Sequence, residues 1–123
     1  MEYKMLSESD YRFMSLVWDN EPVGSMSLVK LCAEAFGWKK STTFTMLKRL
    51  AEKGLLKNDG AVVTALVPRE SVQRTESRLF VDRTFAGSLS EFLAAFFNGK
   101  TITDAEAERL YALIEAHRKE EGK

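Results

Sequence analysis

The stretch "KKSTTFTMLKRLAEKGLL", residues 39–56, contains the clearest helical pattern of this chain. Gly54 stands near its end, where a helix commonly stops at a left-handed residue. Small and apolar side chains recur before it at the spacing of one helical face, namely Thr43, Met46, Leu47 and Leu50. The stretch therefore predicts a helix over residues 40–53 with one face buried against neighbouring helices.

The opposite face of this helix begins with short hydroxyl side chains, although stronger helix formers are available for such positions. Hydroxyl and methyl groups can contact base edges in a DNA major groove, and longer cations can bind phosphates. We interpret the segment as a DNA-recognition helix. The residues expected to face the bases or the groove are Ser41, Thr42, Phe44, Thr45 and Lys48, and those expected to hold the DNA backbone are Lys39, Lys40, Arg49 and Lys53.

The charge distribution supports a local anion-binding surface. The whole chain is neutral, with 18 Lys and Arg against 18 Asp and Glu. Residues 37–57, however, contain six cations and the single anion Glu52, which gives this segment a local charge of +5. An alternative interpretation is that the hydroxyl groups only cap an exposed helix and that the lysines are an ordinary solvated face.

The flanking elements predict a winged helix-turn-helix. Helices are expected over residues 7–20, with Ser7 and Asp10 approximating a capping box, and over residues 26–36, with Ser25 as the cap. Strands are expected over residues 55–57 and 61–67, joined by a turn at 58–60 and closed by Pro68. The fold class is therefore mostly α with a small β-wing, and residues 1–68 form a DNA-binding domain.

Residues 69–123 are expected to form a helical dimerisation domain with helices over residues 69–85, 88–98 and 103–118. These helices carry more apolar surface than a small monomer would cover, and a two-fold dimer would bury it. The alternative is that they fold back onto the head of the same chain. The residues predicted to form the dimer interface are Leu79, Phe80, Leu89, Phe92, Leu93, Phe96, Phe97, Leu110, Leu113 and Ile114.

Other classes of function find little support in the sequence. The single cysteine, Cys32, excludes an internal disulfide and is expected to be a buried thiol. His117 is interpreted as a cation at a helix terminus and not as a catalytic base, and no phosphate-binding loop or metal-ligand spacing is found. We expect no cofactor, no metal and no enzymatic activity. Residues 1–4 are not an apolar leader and no apolar run is long enough to span a bilayer, so a cytoplasmic protein without membrane insertion is expected.

Three segments together resemble the penicillinase-repressor family, BlaI/MecI/CopY. They are "LSESDYRFMSLVWDNEPV" (6–23), "GWKKSTTFTMLKRLAEKGLL" (37–56) and "LFVDRTFAGSLSEFLAAFF" (79–97), in that order along the chain. The resemblance implies a homodimeric transcriptional repressor that binds an inverted-repeat DNA operator. It also implies a membrane sensor protease as a partner.

Three features differ from the family pattern. The wing reads "AVVTAL" at 61–66 and has no cation, the usual Asn-Phe cleavage position is Ala95-Phe96, and the cysteine pair of copper-sensing members is absent. A rival interpretation of the same residues is a winged-helix module that docks an acidic protein partner without reading DNA. Phe44 has two interpretations, since it either meets a thymine methyl group or packs on the neighbouring wing.

Overall fold

The computed structural model describes residues 5–119 of the chain. Within that range the chain forms six α-helices and one three-stranded antiparallel sheet. The mostly helical fold with a small wing is confirmed. In chain order the elements are α1 (Glu8–Asn20), β1 (Val23–Gly24), α2 (Ser25–Phe36), α3 (Lys40–Glu52), β2 (Leu56–Asp59), β3 (Val62–Ala65), α4 (Arg69–Phe85), α5 (Leu89–Phe97) and α6 (Asp104–Ala116).

Helices α1, α2 and α3 share one hydrophobic core with the strands. The apolar stripe predicted on α3 is buried, and it meets side chains from α1 and α2. Cys32 is fully buried, as expected, and burial raises the pKa of its thiol, an effect that the neighbouring Thr43 hydroxyl partly opposes. The core consists of Phe13, Met14, Val17, Val23, Leu28, Cys32, Met46, Leu47, Leu50, Leu56 and Val63.

Local capping signals explain where most helices begin and end. The Ser7 side chain accepts a hydrogen bond from the Asp10 amide, and Thr103 does the same for Glu106 at the start of α6. Gly54 follows α3 with φ +80°, the left-handed conformation predicted for it. One cap differs from the prediction, because Ser25 is the first residue of α2 and Gly24 is its N-cap, without a side-chain bond.

The sheet has the strand order β1-β3-β2. Strand β1 was not predicted, and its two residues pair with Val63 and Val62 of β3. The hairpin turn also lies later than expected, because Asp59 pairs with Val62. This leaves Gly60 and Ala61 as the two turn residues, with φ of +60° and +65°, the sign that a type I′ turn requires at both positions.

The chain divides into two compact units, Met1–Leu79 and Phe80–Lys123, which we call the head unit and the C-terminal unit. The first part of α4 belongs to the head unit, where Val72 is buried and Gln73 Nε2 donates to the Tyr11 hydroxyl at 3.1 Å. Trp18 of α1 also donates its indole N–H to the Val67 carbonyl at 2.9 Å. The boundary predicted from the sequence between a DNA-binding domain and a dimerisation domain, at residues 68 and 69, stays a prediction.

Candidate nucleic-acid interface

Helix α3 begins without a side-chain cap. Lys39 is its N-cap residue, with an extended backbone, and its side chain makes no capping hydrogen bond. The first amide groups of an α-helix have no partner within the helix, and together with the helix dipole they favour an anion. This end of α3 therefore combines unpaired backbone donors with the side-chain charges of Lys39 and Lys40.

The exposed side of α3 contains the hydroxyl groups predicted to face DNA. Ser41, Thr42 and Thr45 are exposed, whereas Thr43 is fully buried on the core side. The Thr45 hydroxyl donates to the Ser41 carbonyl at 2.9 Å, so its methyl group and an oxygen lone pair remain for an external contact. A shallow depression of about 380 Å³ lies on this side, lined by Ser41, Thr42, Thr45, Met46 and Arg49.

Phe44 is partly buried against the hydrophobic core. The Lys40 ammonium lies 5.9 Å from the centre of its ring, within the range of a cation–π contact. Phe44 therefore shields part of the core and supports a basic side chain. Packing of Phe44 on the neighbouring wing and a contact with a thymine methyl group both stay predictions.

Two of the cations predicted to hold phosphates also contact a buried carboxylate. Asp10 of α1 is 1% exposed, and its Oδ1 accepts a hydrogen bond from Arg49 Nη2 at 2.5 Å. Its Oδ2 accepts one from Lys53 Nζ at 3.3 Å. Arg49 and Lys53 themselves remain about half exposed, at 46% and 47%. Their positions on the surface are thus set partly from inside the head unit.

The sequence places Asp10 in a capping box and does not by itself predict its contacts with Arg49 and Lys53. Its amide does take part in the cap of α1, but its side chain lies on the buried face of that helix. A signal was present in the sequence, since Asp10 falls on the same helical stripe as Met14 and Val17. A carboxylate on an apolar stripe requires charged partners, and Arg49 and Lys53 supply them.

The other cations of the basic segment differ from Arg49 and Lys53. Lys39, Lys40, Lys48 and Lys57 are exposed, and within residues 5–119 none of them forms a salt bridge. Lys57 lies on β2, whereas β3 carries no cation and the turn is preceded by Asp59. The basic surface is therefore concentrated on α3, with one contribution from the wing.

The residues predicted for a dimer interface lie in two places, and none of those in the C-terminal unit is buried. Phe80 and Phe92 belong to a ring cluster with Phe85, in which the ring centres are 5.5–5.9 Å apart, and Phe96 and Phe97 extend it. Phe97 and five further predicted residues line an apolar cleft of about 440 Å³ between α5 and α6; the five are Leu89, Leu93, Leu110, Leu113 and Ile114. Leu79, half-buried, lies at the end of the head unit.

Sequence reasoning missed part of this cleft. Ile102 and Tyr111 also line it, and Tyr111 is 72% exposed. Tyr111 occurs beside the predicted interface residue Leu110, so a wider apolar stripe on α6 was the available signal for it, whereas Ile102 precedes α6 and carried no such signal. His117 ends α6 as its C-cap residue, and its Nδ1 lies 2.9 Å from the Leu113 carbonyl oxygen, in agreement with its assignment to a helix terminus.

The sequence profile of one protein family, described as "Penicillinase repressor", matches residues 6–116. The chain belongs to the penicillinase repressor family. The resemblance drawn from the sequence is thereby confirmed, and with it a DNA-binding transcriptional repressor as the general class. The prediction that the chain is not an enzyme is also confirmed, because the family consists of transcriptional repressors.

Two proteins match about nine-tenths of this chain, and one solved structure matches 56% of it. The penicillinase repressor of Bacillus licheniformis is 24% identical over 117 residues, covering 92% of this chain and 91% of that protein. A 16.5 kDa protein of Latilactobacillus sakei, from the ptsI 3′ region, is 25% identical over 115 residues, covering 90% and 79%. The solution structure of monomeric B. licheniformis BlaI with the blaP half-operator is 23% identical, with a TM-score of 0.49, and covers 56% of this chain and 89% of that one.

None of the helices formed by residues 5–119 is long and apolar enough to cross a membrane.

Proposed function

We propose that the protein is a homodimeric repressor that binds an inverted-repeat DNA operator through α3. The observation that carries the proposal is the division of α3 into two faces. One face is buried in the core of the head unit, and the other presents Ser41, Thr42 and Thr45 next to an uncapped helix N-terminus. A helix of this kind places small donors, acceptors and methyl groups against base edges.

The cations around α3 supply the contacts that do not depend on base sequence. Lys39 and Lys40 flank the uncapped end, and Lys48 lies one turn beyond Thr45 on the exposed side. Each phosphate that a cation neutralises releases condensed counterions, so binding is expected to weaken steeply as the salt concentration rises. In this proposal these lysines fix the position of the helix in the groove, and the hydroxyl residues determine the preferred sequence.

Dimerisation is supported by the exposure of apolar side chains in the C-terminal unit. Leu89, Leu113 and Ile114 are each more than half exposed, and they line one apolar cleft together with other apolar side chains. Contiguous apolar surface of this kind is typical of interfaces between subunits. A dimer also presents two head units to a pseudo-palindromic site, whose half-sites are centred about 10 base pairs apart or a multiple of that distance.

The test is a selection of duplexes from a randomised DNA pool, followed by fluorescence anisotropy on the selected duplex and a shuffled duplex. We expect an inverted repeat to be enriched, two protomers to bind each duplex, and a preference of about 10³-fold or more over the shuffled duplex. Equal and weak binding to both duplexes would contradict the proposal. That outcome would favour a basic helix that docks an acidic protein partner.

A further inference from the structure

The cluster of Asp10, Arg49 and Lys53 connects the interior of the head unit to its basic surface. Both carboxylate oxygens of Asp10 are used, one by each cation, and the carboxylate is 1% exposed. Arg49 and Lys53 are about half exposed and lie four residues apart, at the C-terminal end of α3 and its cap. Each cation therefore has a bond to the interior and further N–H donors available to solvent.

Arg49 also borders the surface proposed to read bases. It lines the same depression as Ser41, Thr42 and Thr45, and its Nη2 lies 2.8 Å from the sulfur of Met46. An arginine held in this way has fewer conformations to lose when it binds an anion. A phosphate bound by such an arginine would have a defined position relative to the hydroxyl residues.

We propose that Asp10 is a positioning residue for DNA binding, which holds Arg49 and Lys53 so that they bind phosphates in a fixed register beside the base-reading residues. This inference rests on the proposed function. Without Asp10 the two cations keep their charge but lose their common anchor, so they still attract any DNA. Removal of Asp10 is therefore expected to reduce the preference for the operator and not the general affinity for DNA.

The test compares Asp10→Asn with Glu8→Gln in the full chain, using the selected duplex and its shuffled counterpart over a range of salt. Both substitutions remove one negative charge from the first turn of α1, but Glu8 is exposed and forms no salt bridge within the described residues. We expect Asp10→Asn to lower the ratio of operator to shuffled affinity about tenfold. We expect Glu8→Gln to keep the wild-type ratio. In both variants, the affinity for shuffled DNA should depend on salt concentration at least as steeply as in the wild type.

A merely structural role for Asp10 would change stability but not this ratio, so circular dichroism establishes that each variant is folded at the binding temperature. A folded Asp10→Asn protein with the wild-type ratio would overturn the inference. If Asp10→Asn does not fold, the same ratio is measured for Arg49→Lys, since this substitution changes a half-exposed side chain and keeps the charge. We expect it to lower the ratio, because an ammonium lacks the planar donors that bond Asp10 and a phosphate together; an unchanged ratio would overturn the inference.

Failure of the proposed function is recognised separately, in the wild-type protein. If wild type shows no preference for any selected duplex, the proposed function and this inference are both overturned. If wild type shows the preference and the variants keep it, only the role of Asp10 is overturned.

Discussion

The guanidinium of Arg49 on α3 bonds the buried carboxylate of Asp10 on α1, with Nη2 and Oδ1 2.5 Å apart. The two residues are 39 positions apart in the sequence, and their bond joins the proposed recognition helix to the first helix of the head unit. A buried carboxylate needs such partners because transfer of an unpaired charge from water into a protein interior is strongly unfavourable. The same arginine thus contributes to folding and, in our proposal, to DNA binding.

The two ends of this ion pair are expected to differ in their effect on stability. Arg49→Gln leaves the Asp10 carboxylate buried with Lys53 as its remaining cation, so we expect the free energy of unfolding to fall by about 2 kcal/mol. Asp10→Asn leaves two half-exposed cations that water can solvate, and we expect a loss of about 1 kcal/mol. Urea denaturation of both variants measures the difference. A larger loss in Asp10→Asn than in Arg49→Gln would contradict this account.

Thr45 is expected to influence one base position of the operator. Its hydroxyl hydrogen is occupied by the Ser41 carbonyl, so the methyl group is the better candidate for a base contact. We expect Thr45→Ala to reduce discrimination at one position by about 1 kcal/mol, and Thr45→Val to retain most of it. Binding to a set of duplexes with single base changes measures both. A uniform loss over all positions would assign Thr45 to the backbone instead.

Lys40 is expected to bind phosphate without regard to sequence. We expect Lys40→Ala to weaken operator and shuffled duplexes alike and to reduce the slope of log affinity against log salt by about one. Lys30→Ala is the matched control, because Lys30 is also an exposed lysine but lies on α2, outside the basic segment. Salt titrations by anisotropy give both slopes. An equal change of slope in the two variants would show that only net charge matters.

The cleft between α5 and α6 is expected to form part of the dimer interface. We expect Leu113→Glu to raise the dimer dissociation constant at least about 100-fold, since a carboxylate would have to be buried unpaired. Ala112→Glu introduces the same charge at the adjacent exposed position, which does not line the cleft, and should leave the dimer intact. Sedimentation equilibrium measures both constants. Equal behaviour of the two variants would remove the cleft from the interface.

Ala61 is expected to limit the stability of the wing. Its φ of +65° lies in the left-handed region, which is unfavourable for a residue with a Cβ atom. We expect Ala61→Gly to raise the free energy of unfolding by about 0.5 kcal/mol, because relief of strain exceeds the added entropy of the unfolded chain. Gly60→Ala, at the neighbouring residue with φ +60°, should lower it. Thermal denaturation of both variants shows whether each substitution raises or lowers the free energy of unfolding. Stabilisation by Gly60→Ala would contradict the assignment of the turn.

Much of the fold was predictable from the sequence because the relevant interactions are local. Ser7 and Thr103 cap helices through residues three positions away, and Gly54 takes the left-handed conformation that ends α3. The buried stripe of α3 follows from helical periodicity alone. The same periodicity identified the exposed hydroxyl face and its cations as a candidate for DNA contact.

Features that depend on partners far away in the sequence are seen only in the tertiary structure. Strand β1 forms because β3 offers it a partner some 40 positions away in the sequence, at Val63 for Val23, and the hairpin register moved the turn to Gly60 and Ala61. Asp10 contacts Arg49 and Lys53 of the basic surface from the interior because α1 and α3 pack together. Helical and turn signals act over a few residues, whereas strand pairing and buried ion pairs are decided by which distant groups the folded chain brings into contact.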